Sequence, residues 1–201
     1  MIGHKAVTPG DTPLSHWALL PAPALGELGE LGAVRVRIYR PLRAGPGITA
    51  QRTWITGAGG ECTLVRELFQ GDDRCIEECW WPAGAVPERL IPGEPEPCPV
   101  LRVVRPGRGD RQAAAAMTAA GTPGDPQDLR QVRELLVALK AALRDESRRV
   151  ASVAARFRRG PAELLACTVR VGGGAEGRLH LDAEAGDGRQ ILRAAVWFGC
   201  G

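Results

Sequence analysis

Lysine is almost missing from this sequence. Of its 26 basic residues only Lys5 and Lys140 are lysines, so arginine carries nearly all the positive charge. Arginine's planar fork suits carboxylate and phosphate recognition, but a genome rich in G and C produces the same bias, so the bias alone assigns no ligand. Aromatic side chains are scarce too, with one tyrosine and three phenylalanines, and the net charge is only +3. A nucleic-acid surface needs a basic face interleaved with aromatics. Neither feature stands out, and nucleic acid is not an expected partner.

No basic start followed by an apolar run opens the chain, and no apolar stretch approaches the roughly 20 residues that cross a bilayer. The expectation is a soluble, cytoplasmic protein with reduced thiols and no membrane partner. The six cysteines, Cys62, Cys75, Cys79, Cys98, Cys167 and Cys200, do not form the two close pairs of a structural zinc site. On one extended strand Cys75 and Cys79 would share a face about 13 Å apart, too far to hold one ion. There is no GxSxG elbow, no phosphate loop and no dinucleotide fingerprint after a strand. No cofactor is expected. His180, Asp182 and Glu184 alternate along one segment and are metal-ligand types, but neighbours about 6.5 Å apart are wide for one ion, and a solvated strand face gives the same pattern.

What remains has globular composition, and at 201 residues it is long enough for one core. Residues 1–13 read as a flexible arm and 14–201 as a single α+β domain. VRVRIYRPL alternates with Val34, Val36 and Ile38 on one face, the period of a half-buried strand. QRTWIT and LVRELFQGDDRCIEECWWP continue the pattern, with turn chemistry at Gly71, so 34–81 reads as a four-strand antiparallel meander. PVLRVV, ELLACTVRV and the hairpin GRLHLDAEAGDGRQILRAAVWFG add strands, and QAAAAMTAA adds one or two helical turns. The predicted fold is an antiparallel sheet of about six strands with a long amphipathic helix and short helices packed on it.

That helix is predicted over 128–158, about 45 Å long. Leu129, Val132, Leu136, Leu139, Leu143, Val150, Val153 and Phe157 follow three- and four-residue steps, and Asp125 and Pro126 suit its start. Such a stripe either covers the sheet or forms an interface with a second copy or another protein.

Arg66 shares a face with Leu64 and Leu68, so burial of that face buries a guanidinium that needs an anion. The anion is either Glu78 on the paired strand or a ligand carboxylate. Trp54 completes this candidate ligand-binding set, Arg66, Glu78 and Trp54. Glu77 and Glu78 point to opposite faces, which gives little support to an acid pair.

Trp17 with the following leucines, VRVRIY, LVRELF, the GDD turn, the strand ending WWP and the closing hairpin resemble, in this order, the chorismate pyruvate-lyases and the ligand-binding domains of GntR-type regulators. The resemblance implies an antiparallel sheet enclosing a small aromatic acid, with Arg66 on the carboxylate. Ala195 stands where those lyases carry an acidic residue, so the resemblance implies a divergent, noncatalytic carboxylate-binding domain. The alternative is an assembly protein that pairs through the 128–158 helix. A third reading is an active lyase.

Overall fold

The structure is a computed structural model that describes residues 30–42, 47–57, 62–91, 99–119, 126–158, 167–174 and 177–199. The alternating segments form strands: β1 (Leu31–Ile38), β2 (Ile48–Thr56), β3 (Cys62–Gln70), β4 (Asp73–Pro82), β5 (Val100–Val104), β6 (Val150–Phe157), β7 (Thr168–Gly173), β8 (Leu179–Glu184) and β9 (Gln190–Phe198). Gly71 takes a φ of 61° in the β3–β4 turn and Gly188 a φ of 81° in the β8–β9 turn, where a side chain would be strained. Among the described residues the α-helices are α1 (Arg108–Ala119) and α2 (Pro126–Ala142).

All nine strands join one antiparallel sheet in the order β2-β3-β4-β1-β6-β9-β8-β7-β5. The expected sheet of about six strands is therefore too small. The expected meander also needs correction: β1 pairs with β4 and β6, not with β2. Outward from the central β1–β6 pair, the order β1-β4-β3-β2 on one side matches β6-β9-β8-β7 on the other. Two halves of like topology thus meet at Val34↔Ala155 and Val36↔Val153, a repeat that residue identities do not announce.

The predicted 128–158 helix is broken. α2 ends at Ala142, and a polar turn follows in which the Glu146 carboxylate accepts from the Arg148 backbone N–H (2.9 Å) and guanidinium (2.7 Å). VASVAARF then runs as β6, because two neighbouring strands saturate its backbone and its β-branched residues suit a strand. The stripe is not an exposed interface either. Val132, Leu136, Leu139 and Leu143 on or just after α2, and Val150, Val153 and Phe157 on β6, are all buried in one core within the chain. Each large apolar side chain so placed contributes about 1.5–3 kcal/mol. Leu129 lies on α2, and its side chain falls outside the described residues, as do the expected arm at 1–13 and the Trp17 segment.

From Gln131 to Leu143 α2 is buried on nearly every side, a central helix that the sheet wraps with its inner face. The outer face carries a second, smaller cluster: Ala33, Ala154 and Ala195 on the strands lie under Leu90 and Ile91 of the connection that leaves β4. The described part of this connection, residues 83–91, lies over the back of the sheet. Small residues let it lie close: a Cβ on Gly32 would stand 2.5 Å from the Ala83 Cα. Arg156 donates to the carbonyls of Pro87 (2.7 Å) and Glu88 (3.0 Å), which pins the strap down.

One further correction concerns the cysteines. A register shift in the β3–β4 pairing places Cys75 in the inner core, while Cys79 packs on the outer cluster, so the two do not share a face.

Candidate functional site

The residues singled out in the sequence come first. Arg66 on β3 and Glu78 on β4 are direct cross-strand partners on the inner face, and both are buried. Arg66 donates to Glu78 Oε2 through Nε (2.8 Å) and Nη2 (2.6 Å), and Trp80 Nε1 donates to the same oxygen (3.1 Å). The chain's own carboxylate thus neutralises this guanidinium. Trp54 lies two residues from Arg52, which pairs with Arg66, and is part of the exposed edge strand β2.

His180, Asp182 and Glu184 face the outer side of β8. Asp182 accepts from Arg193 Nε (2.7 Å) and Gln190 Nε2 (2.6 Å), and Glu184 pairs with Arg170 (3.1 Å). Among the described residues no group of three His, Cys, Asp or Glu side chains is placed to hold a metal ion.

A different set of polar side chains gathers inside the wrapped half, where α1, α2 and the start of β7 meet. Gln131 and Glu134 lie one turn apart on α2 and are only 8% and 6% exposed. Among the described residues the buried Gln131 Oε1 has no hydrogen-bond partner, and an unmet buried acceptor costs about 1–3 kcal/mol unless something donates to it. Cys167, immediately before β7, is buried beside this pair. Burial pushes its thiol pKa up, with the Arg111 charge from α1 acting downward and the Glu134 charge acting upward. Arg111, Glu134 and Cys167 are therefore electrostatic neighbours.

Such a group supplies a carboxylate able to take a proton and an amide oxygen able to accept a hydrogen bond. Sequence reasoning missed it for a plain reason. In QDLRQVRELL the Gln131–Glu134 spacing is that of any solvated helix face, and only the wrapping of α2 by the sheet reveals both side chains as buried.

No family model and no curated relative matches the chain. Solved structures do. A MaoC-like dehydratase from Phytophthora capsici matches with a TM-score of 0.63 and 16% identity, over 90% of this chain and 74% of that one. The full-length peroxisomal multifunctional enzyme type 2 from Drosophila melanogaster matches with a TM-score of 0.63 and 14% identity, over 84% of this chain. This chain spans only 37% of that enzyme. A 12:0-ACP thioesterase from Umbellularia californica matches with a TM-score of 0.54 and 9% identity, over 84% of this chain and 74% of that one. These likenesses overturn the chorismate-lyase and GntR resemblance, whose features are pieces common to many antiparallel sheets, and with it the carboxylate-binding reading. The shared architecture, a broad antiparallel sheet wrapped around a central helix, is the hot-dog fold, and this chain adopts it.

Proposed function

We propose that the chain is an acyl-thioester enzyme of the dehydratase or thioesterase kind, with Glu134 as general base and Gln131 as its partner in holding a water. The observation that carries this reading is the buried Gln131 Oε1, which has no hydrogen-bond partner among the described residues, one turn from the buried Glu134 carboxylate. A water that donates to the Gln131 Oε1 has a second proton to offer a carboxylate one helical turn away. Hydrolysis of a thioester and the hydration that reverses a dehydration share one requirement: a water held against a base and poised to attack carbon. Proton transfer from that water to Glu134 leaves hydroxide to attack either the thioester carbonyl or the β-carbon of an unsaturated acyl group. The names of the structural neighbours, a dehydratase and a thioesterase, favour this chemistry without choosing between its two forms.

The reading includes one domain of two halves in a cytoplasmic setting.

The test uses the full chain and two assays on a panel of acyl-coenzyme A esters from short to long. Thiol release from saturated esters reports hydrolysis, and loss of the enoyl absorbance from trans-2-enoyl esters reports hydration. Turnover is expected in one of them, with Glu134→Gln lowering kcat by about 10²–10⁴-fold. No turnover in either assay across the panel, or full activity in Glu134→Gln, would overturn the reading.

A further inference from the structure

Among the described residues the large apolar side chains that stay exposed gather, Tyr39 excepted, on the two edge strands of the sheet. They are Ile48, Trp54 and Ile55 on β2, and Val100, Leu101 and Val103 on β5. The two edges differ. β5 is five residues long and pairs with β7 through a register shift between Val100 and Arg102, and a short, irregular strand is a poor template for another chain. β2 runs for nine residues in unbroken register with β3, every one of them exposed, and Arg52 is its only charged residue. No lysine, proline or bulge blunts it. Among the described residues no strand pairs with its outer side, whereas β7, its counterpart in the other half, carries β5 antiparallel there. That place in the fold takes an antiparallel strand.

The sequence of β2 is complementary to itself. Opposed residues of an antiparallel pair point to the same face, so a two-fold pairing of β2 with β2 has few registers to choose from. With Gln51 of one copy opposite Gln51 of the other, Ile48 meets Trp54 and Trp54 meets Ile48 on the inner face, while Thr49 and Thr53 meet on the outer. Aromatic with β-branched and Thr with Thr are favourable cross-strand pairs. Arg52 then faces Ala50, so no like charges are directly opposed. An axis at Arg52 would oppose two guanidinium groups, and an axis at Thr53 would leave Ile48 beyond the paired stretch and set Ile55 against Gln51. The register centred on Gln51 pairs residues 48–54 and supplies about six to eight backbone hydrogen bonds. We infer that β2 is the contact between two copies of this chain, joined edge to edge about a two-fold axis at Gln51 into one continuous antiparallel sheet with both copies of α2 on the same side. This interface is independent of the acyl-thioester reading.

The test follows the mass of the full chain by light scattering over about 1–500 μM. One added strand is smaller than a standard permanent interface, so a monomer–dimer equilibrium with a micromolar dissociation constant is expected. Trp54→Lys adds the charge that natural sheets use to blunt an edge, and is expected to weaken the dimer at least about tenfold with the far-ultraviolet circular dichroism unchanged. Ile48→Glu is expected to do the same. The register makes a sharper demand. Mixed in equal amounts, Ile48→Glu and Trp54→Lys put opposite charges face to face, and the dimer is expected to return at concentrations where neither variant alone shows it. A parent that is monomeric throughout, a dimer indifferent to Trp54→Lys, or no recovery in the mixture would overturn the proposal. Slow amide exchange along β2 in a monomeric parent would overturn it too, by showing that the chain covers its own edge.

Discussion

Arg66 and Glu78 face each other across β3 and β4, with two guanidinium nitrogens and the Trp80 indole converging on one carboxylate oxygen. The pair sits on the inner face among Leu64, Leu68 and Ile76, so neither ion has water to fall back on. Its worth lies in the balance of two charges rather than in either alone.

Arg66→Met or Glu78→Gln alone is expected to destabilise the fold by about 3–5 kcal/mol, because each leaves an uncompensated buried group. The double variant Arg66→Met with Glu78→Leu replaces the pair with apolar volume and is expected to lie near the parent. Denaturant unfolding of the three variants measures this. Additive losses in the double variant would show that the pair is not coupled.

Two glycines are expected to respond to alanine with opposite signs. At Gly32 the new Cβ would lie 2.5 Å from the Ala83 backbone and 2.5 Å from a Val86 methyl, so Gly32→Ala pushes the strap off the sheet and costs about 1–3 kcal/mol. At Gly109, in the first turn of α1, nothing lies within 4 Å of the added methyl, and Gly109→Ala gains up to about 1 kcal/mol of helix propensity. Thermal midpoints of the two variants should move apart, and a shared direction would refute the packing account.

Stability should depend on acid through Glu146. The Arg148 guanidinium holds the Glu146 carboxyl at about 2, against an ordinary value of 4.5. A carboxyl depressed by folding contributes stability above its unfolded value and loses it as the pH falls through the folded one. Glu146→Gln should therefore be less stable than the parent near neutral pH, and the gap should close between about 4.5 and about 2. A gap independent of pH would remove the ion pair as its cause.

Thiol reactivity should follow burial. Cys62 is exposed, whereas Cys75 and Cys167 are buried and Cys79 is half-buried. Burial pushes the thiols of Cys79 and Cys167 up, which lowers their thiolate fraction at neutral pH. Alkylation of the native chain, mapped by peptide mass, should mark Cys62 well before the other three. Early labelling of Cys167 would mean that its site opens to solvent.

Local pattern alone was enough for much of the sheet. Val34 and Val36, Leu64 and Leu68, and the β8–β9 hairpin around Gly188 are where alternation and turn chemistry place them, since period-two burial and positive φ are properties of short segments. The start of α2 was legible for the same reason, with Pro126 as its first residue. Its end was not. Val150, Val153 and Phe157 continue the spacing of a helix, yet β1 and β9 offer that segment two backbone ladders, and tertiary pairing outweighs a weak helical preference.

The sequence by itself determined most of the short strand segments, β6 excepted, where the tight turns around Gly71 and Gly188 fall, and that Arg66 would need an anion if buried. Only the tertiary structure decided that the nine described strands join one sheet in two matched halves with α2 buried against its inner face, that Glu78 supplies the anion, and that Gln131 and Glu134 lie inside instead of in water. The physical reason is one of range: alternation and turn preference act over a few residues, whereas burial of α2 depends on β7 and β8 tens of residues away and the pairing of β1 with β6 on contacts more than a hundred residues apart, to which no local pattern is sensitive.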